Sequence, residues 1–394
     1  MMNEKKTIMQ QVMGTMRPMG LIGLVGLVGL VGGCTSEVQE GQESRQTLEL
    51  VPFSSSFLEV EPMGTRAGSL PKDYVPFGSL YTTAPANSDI GVWMTPENTT
   101  TLQNFIYKSG SDWKSQVTVE SGRTYYIYGF MPNTGTENAS IASTNYANGA
   151  TITLTNYPTV TSNDISAIVG LRKRTGSETI TALSEDVSLG SFTYTATTEG
   201  SGSGNTVFIL LKHLYAGLRF SARLDAEYHK VRDIYVTNVE LIGKSIPLTG
   251  DLTVTLTANS TGADPSAISV NTTGKTTGDV TATLYEVDSN DPTDKGYQLT
   301  VEKPSNFIGC FAFGNVCSAF TLKTTYDVYD KKGNLIRKGC TAENEINILN
   351  KFNITNTSTI LPGKIYTINL LVQPTYIYVL SEPDIDNPTI KVSN

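Results

Sequence analysis

Histidine is nearly absent: the 394 residues include two, His213 and His229. So few imidazoles leave little material for a histidine-based metal site or a His-centred acid–base cluster. No HExxH, no CxxC pair and no G-x-S-x-G elbow occurs. Zincin hydrolysis, dithiol chemistry and α/β-hydrolase acyl transfer therefore lack their signature residues. Charged residues are only 17% of the chain, and the formal net charge is -8. Residues 1–33 carry Lys5, Lys6 and Arg17 against Glu4, a net +2, so the remainder stands at -10 (-8 minus +2). An acidic body lacks the Lys/Arg excess that phosphate contacts need, which argues against nucleic acid as a partner. No window of useful length carries a strong 3.6-residue apolar period, so long amphipathic helices are not expected.

Few residues are left over for chemistry. His213 lies in the apolar run "LLKHLYAG" and reads as a hydrogen-bonded core histidine. The acidic segments Asp288–Asp294 ("DSNDPTD") and Asp384 with Asp386 ("EPDIDNP") offer oxygens but no EF-hand arrangement. Nothing marks a carboxylate pair for glycoside hydrolysis. The expectation is a protein that is not an enzyme, with no catalytic residues, no metal and no cofactor.

Four cysteines are present: Cys34, Cys310, Cys317 and Cys340. Cys34 ends a distinctive N-terminus. A basic segment with Lys5, Lys6 and Arg17 precedes the apolar run Leu21–Val31, too short to span a bilayer, and then Val31-Gly32-Gly33-Cys34. This resembles the bacterial lipobox, in which the cysteine thiol is lipidated before cleavage and becomes the first mature residue. Two or more acyl chains give stable anchoring. Three cysteines remain in an exported chain, so at most one disulfide forms among them. A pair between Cys310 and Cys317 and three small buried thiols are both compatible with the sequence.

The mature chain reads as strands. Residues 35–66 form a polar leader with one extended patch, "SFLEVEP", holding Phe57, Leu58 and Val60. Arg66 follows among small residues, either an accessible tryptic site or an ordinary solvated arginine. From residue 90 strand signals recur: "IGVWMT", then "NFIYKSGSDWKSQVTV" with Ser109-Gly110-Ser111 as a turn between two strands. "RTYYIYGFMP" sets Tyr126, Tyr128 and Phe130 on one face, with Tyr125 and Ile127 on the other. "TVFILLKHLYAGLRFSARL" is too long for one strand and is expected to break near Ala216-Gly217. "AFTLKTTYDVYDKKGNLIRKGC" is a hairpin with Phe320, Leu322, Thr324, Tyr326 and Val328 on one face. Short strands punctuated by turns indicate an all-β sandwich or barrel.

Several stretches together resemble the fimbrillins, the pilin class of Bacteroides and Porphyromonas. They are the lipobox at Cys34 with the later Arg66, the run from Trp113 to Pro132, "LLKHLYAGLRFSARL", and "LPGKIYTINLLV" from Leu361 to Val372. Glu37 and Glu40 resemble the acidic surface-export signal of such lipoproteins. The resemblance implies two β-sandwich domains of transthyretin-like topology after a signal peptide and leader. The implied division is 1–33 signal peptide, 34–66 leader removed on maturation, 67–211 N-terminal domain, 212–374 C-terminal domain, and 375–394 a C-terminal appendage. It also implies a path. The precursor is lipidated on Cys34 and carried to the outer membrane. An Arg-specific surface protease cuts after Arg66, making Ala67 the new N-terminus, and the strand near Phe57, Leu58 and Val60 leaves. The vacated groove takes a donor strand from another pilin subunit, with Tyr376, Ile377, Tyr378, Val379, Leu380, Ile390 and Val392 as the donor residues. The implied partners are pilin subunits of stalk, anchor and tip, the protease, a host or bacterial surface receptor, and the outer membrane through the lipid. The alternatives are a tail paired within its own domain, and a glycan-binding or tip-adhesin lipoprotein that forms no stalk.

Overall fold

Strands form where apolar residues alternate, and the computed structural model is an all-β sandwich protein built from such strands. It describes residues 45–55, 58–60, 74–76, 90–99, 101–107, 114–133, 138–175, 189–198, 204–302, 305–313, 319–348 and 360–372. One four-residue helix, α1 (Ala226–His229), is present among them. Its first turn is capped by the Asp225 carboxylate, which accepts from the backbone N–H groups of Glu227 and Tyr228 at 3.0 Å each.

Four sheets make two layered bodies. The first sheet runs β3 (Tyr74–Pro76), β1 (Arg45–Ser55), β13 (Asn205–His213), β11 (Ser166–Lys173), β7 (Thr124–Met131), β4 (Ile90–Pro96) and β5 (Gln103–Tyr107). Strand β6 (Lys114–Glu120) joins it on β1 and β12 (Thr193–Thr195) joins it on β7. Packed on it is a sheet of β17 (Ser266–Asn271), β16 (Thr249–Thr257), β9 (Gly149–Pro158) and β8 (Asn138–Ala142). The second body pairs two further sheets. One runs β10 (Val160–Thr161), β20 (Ser305–Ala312), β14 (Ala216–Leu224), β23 (Lys364–Val372) and β2 (Leu58–Val60). The other runs β18 (Thr277–Glu286), β15 (Arg232–Pro247), β21 (Ala319–Asp330) and β22 (Leu335–Asn347), with β19 (Tyr297–Gln298) on β15.

Three apolar clusters hold these layers. Between the first sheet and its partner lie Trp93, Tyr128, Phe130, Phe208 and Leu210, facing Ile152, Leu154, Leu252, Val254 and Leu256. The opposite face of the first sheet is buried as well, with Leu48, Leu50, Ile90, Val92, Met94, Tyr125, Ile127, Val207, Ile209 and Leu211 in one apolar cluster. Burial on both faces is why β4 and β13 read as unbroken apolar runs, "IGVWM" and "VFILL", instead of alternating. The second body has its own cluster of Leu218, Phe220, Ile234, Val236, Leu241, Leu322, Val328 and Ile368. Each fully buried side chain of this kind contributes about 1.5–3 kcal/mol of transfer free energy.

The facing expected for Tyr126, Tyr128 and Phe130 against Tyr125 and Ile127 is the one observed, the two sets falling in different clusters. The long run 206–224 breaks at Leu214-Tyr215, between β13 and β14. The hairpin β21–β22 forms with Phe320, Leu322, Tyr326 and Val328 buried. Two expectations differ from what is observed. Strands β5 and β6 are not hairpin partners: β5 pairs with β4, and β6 pairs with β1. Nor does sheet membership follow one cut near residue 212, because β16 and β17 belong to the first body through the pairing of β16 with β9. "DLTVTLT" carries nothing local that says which sheet it will join. Gly149 allows that pairing to close: its φ is +137°, and a Cβ there would sit 2.1 Å from the Leu256 carbonyl oxygen.

Candidate functional site

Strand β1 is the element whose placement bears most directly on function. Its sequence "RQTLELVPFSS" places Thr47, Glu49 and Val51 on one face and Leu48 and Leu50 on the other. Leu48 and Leu50 are 0% exposed and pack in the cluster with Val207, Ile209 and Leu211. Val51 leans on the opposite cluster. The strand is inserted between neighbours instead of lying along one. It runs parallel to β13 from Leu48↔Asn205 to Ser54↔Leu211. On its other side it pairs antiparallel with β6 through Arg45↔Glu120 and Gln46↔Val119, and with β3 through Phe53↔Pro76 and Ser54↔Val75.

Polar contacts fix its register. Asn205, 3% exposed, donates through Nδ2 to the Gln46 Oε1 atom of β1. Its Oδ1 accepts from the Tyr194 hydroxyl at 2.5 Å and from the Thr197 backbone N–H at 2.8 Å. Burial pushes the Tyr194 hydroxyl up to about 12, so it remains a donor at neutral pH. Thr206 Oγ1 donates to Glu49 Oε2 at 2.7 Å. A parallel strand held on both sides, with two buried leucines and side-chain anchors, is an integral part of the core, yet it precedes Arg66 in the chain.

A short continuation reaches the second body. Residues 56–57 separate β1 from β2, and β2 runs parallel to β23 with Leu58↔Lys364, Glu59↔Ile365 and Val60↔Tyr366. Leu58 and Val60, expected in the N-terminal sheet, therefore lie beside β23. The strand that occupies the first sheet is β1, and its alternation from Thr47 to Val51 is the local signal for it within a polar stretch. Phe57, Cys34, Arg66, Ala67, Tyr376, Ile377, Tyr378, Val379, Leu380, Ile390 and Val392 lie outside the described residues.

The remaining candidates have structural roles. His213, 2% exposed, ends β13 with Nδ1 2.5 Å from Asp164 Oδ2. Ser166 Oγ donates to the same carboxylate oxygen at 3.2 Å, and Asp164 Oδ1 is buried without a partner. The Asp288–Asp294 loop is closed by its own backbone, with Asn290 N–H to Asp288 Oδ1 and Thr293 N–H to Asp291 Oδ1 at 2.8 Å each. The Thr293 hydroxyl, donating to Asp291 Oδ1 at 2.6 Å, and then the Thr293 backbone N–H hold the Asp291 carboxyl below the usual carboxylate range. Among the described residues no group of three or more His, Cys, Asp or Glu side chains is placed to hold a metal ion. Cys310 is buried, Cys340 is half-buried with its thiol pushed up by burial, and Cys317 lies outside the described residues.

The fold and this geometry define an all-β sandwich protein with the first of its described strands threaded into the core. No protein-family model matches the chain, and no curated protein matches it. Among solved structures it is similar to a fimbrial protein from Bacteroides vulgatus, at 13% identity and a TM-score of 0.40, covering 84% of this chain and 96% of that one. It is similar to a candidate cell adhesion protein from Bacteroides uniformis, at 13% identity and a TM-score of 0.36, covering 84% and 94% of the two chains. Candidate polysaccharide-binding proteins from Bacteroides thetaiotaomicron align at 11% identity and a TM-score of 0.29, over 83% and 93%.

Proposed function

We propose that this chain is a structural subunit of a surface fimbria that supports adhesion and polymerises by protease-triggered strand exchange. The observation that carries this reading is β1: a strand paired on both sides in its sheet, with Leu48 and Leu50 fully buried, that lies N-terminal to Arg66. Lipid on Cys34 holds the precursor at the outer membrane. An Arg-specific protease cuts between Arg66 and Ala67. The cut itself breaks no contact of β1, but it removes the tether, so a strand kept in place by a high effective concentration becomes a dissociable ligand.

Departure of β1 leaves unpaired N–H and C=O groups on β13 and an apolar channel lined by Val207, Ile209 and Leu211. A strand from another subunit supplies both what the ladder and what the channel require. The tail run "TYIYVL" has that character, with Tyr376, Tyr378 and Leu380 on one face and Ile377 and Val379 on the other. Donor and acceptor surfaces differ, so the contact is heterologous and does not close; it propagates a filament.

The test is the N-terminal residue of the protein recovered from the cell surface, together with the Arg66→Ala variant. A start at Ala67, and a variant that stays a lipidated monomer, are the expected results. Normal polymers from Arg66→Ala would remove cleavage at this site from the mechanism. A lipidated Cys34 as the sole N-terminus would make the protein a retained surface lipoprotein, a glycan binder or tip adhesin.

A further inference from the structure

Seven large apolar side chains are exposed among the described residues, and three of them sit at one end of the second body. They are Val231, Leu335 and Ile336, at 49%, 48% and 41% exposure. Val231 follows α1, while Leu335 and Ile336 open β22 just past the turn of the β21–β22 hairpin. The register brings them together, because Arg232 pairs with Asp330 and Leu335 with Tyr329 at the same end of β15, β21 and β22. Lys331 Nζ, in the turn, lies 2.7 Å from Asp233 Oδ1 and 3.2 Å from His229 Nδ1. The hairpin turn is thus tied to α1 and to the start of β15.

The same end is basic in an otherwise acidic protein. The nine residues 331–339, "KKGNLIRKG", are all exposed and carry four cations and no acid. Lys230 and Arg232 add two more beside α1. The nearby carboxylates are already engaged. Asp330 accepts from the Lys332 and Asn334 backbone N–H groups at 2.8 Å each, which closes the turn. Buried Asp327 accepts from the Gly339 N–H at 2.7 Å. There β22 carries an extra residue, since Tyr326 pairs with Cys340 but Val328 with Arg337. Gly339 takes the φ of +66° that such a bulge uses. Asp233 is paired with Lys331, and Glu227 with Lys230. Lys332, Arg337 and Lys338 make no salt bridge among the described residues. The acids turn inward to the backbone, and three cations are left beside three exposed apolar side chains.

We propose that this tip docks on an anionic lipid surface. Val231, Leu335 and Ile336 enter the headgroup layer, and Lys332, Arg337 and Lys338 meet its phosphates. Charge and shape both favour this occupant. A soluble polyanion satisfies the cations but leaves three apolar side chains in water. A lipid interface takes both, because long cationic side chains keep their heads at the phosphates while apolar groups sink below them. A hairpin turn is convex, which suits a broad surface better than it suits a peptide. Each cation near an anionic bilayer contributes about a factor of five in partitioning, so three give roughly a factor of 100. That attraction is screened by salt. The proposal does not depend on strand exchange; it assigns a lipid-facing end to the second body.

The experiment is flotation of the full chain with vesicles, in a Cys34→Ala background so that no acyl chain contributes. One set of vesicles is phosphatidylcholine alone, and the other contains one-third phosphatidylglycerol. The parent is expected to float with the anionic vesicles and to be released by added salt. Lys332→Gln/Arg337→Gln/Lys338→Gln binds roughly 100-fold more weakly, and Leu335→Ser/Ile336→Ser several-fold more weakly. A charge-matched control, Lys173→Gln/Arg223→Gln/Lys244→Gln, removes three exposed cations elsewhere and retains the parent's binding. Equal urea midpoints verify that all variants are folded. Equal losses in the two charge variants overturn the proposal, because net charge then accounts for binding. Binding that survives both tip variants overturns it too, and assigns the contact to the apolar run 21–31. Binding unchanged by Leu335→Ser/Ile336→Ser and fully competed by dextran sulfate overturns it in favour of a soluble polyanion. A parent that ignores anionic vesicles leaves the tip with no lipid role.

Discussion

Replacing Leu50 with Ala tests whether β1 is a core strand that the mature subunit nevertheless discards. Leu50 is 0% exposed and packs in the cluster that includes Val92, Ile127, Val207 and Ile209. Removing a buried leucine down to Ala costs the lost transfer energy plus a cavity term, about 2–5 kcal/mol in all. A loss of about 3 kcal/mol corresponds to a factor of roughly 150 in the equilibrium between seated and unseated strand. Two assays read it. In the uncleaved chain, urea unfolding of the first body, followed by the emission of Trp93, moves to a lower midpoint; Trp93 is 5% exposed within that body and changes environment when it opens. In the chain cleaved at Arg66, the variant leader dissociates on the order of 100-fold faster than the parent leader. Polymers assembled from leader-free subunits keep the stability of the parent, because Leu50 is no longer in them. An unchanged midpoint with unchanged leader retention refutes the claim that β1 carries core packing. A polymer weakened as much as the precursor refutes the claim that it leaves.

Two further predictions rest on polar contacts. His213→Ala leaves the buried Asp164 carboxylate with the Ser166 hydroxyl as its described partner, and breaking a buried pair in this way costs about 3–5 kcal/mol, read as a lower urea midpoint of the first body; a loss below about 1 kcal/mol would mean the pair is not strongly coupled. The Asp251 carboxyl is held below its usual range by the hydrogen bond from Lys275 Nζ at 2.7 Å, helped by the Asn156 N–H and opposed by desolvation. A depressed folded-state value means this contribution is present above the unfolded aspartate value near 4 and is lost as pH falls through the lower folded value. The parent should therefore exceed Lys275→Met by about 0.5 kcal/mol at pH 6, a gap that narrows below pH ~4 in parallel denaturation series. A gap that stays constant down to pH ~2 would refute the pairing as its source.

Much of this molecule is legible in local pattern. Period-two alternation in "YYIYGF" and "AFTLKTTYDVY" fixes which residues face which layer, because successive Cβ atoms in a strand point to opposite sides. The scarcity of His and Cys and the resemblance of Val31-Gly32-Gly33-Cys34 to a lipobox are likewise read from the letters alone. Partner choice between strands is not, because a ladder is made of backbone groups common to every residue, and only packing decides who stands beside whom. That is why β5 and β6, neighbours in sequence, join different strands, and why β16, from the second half of the chain, pairs with β9 in the first body. It is also why a polar-looking N-terminal stretch holds the parallel partner of β13: Leu48 and Leu50 are two apolar residues in a hydrophilic segment, and only the tertiary structure gives them a closed channel to fill.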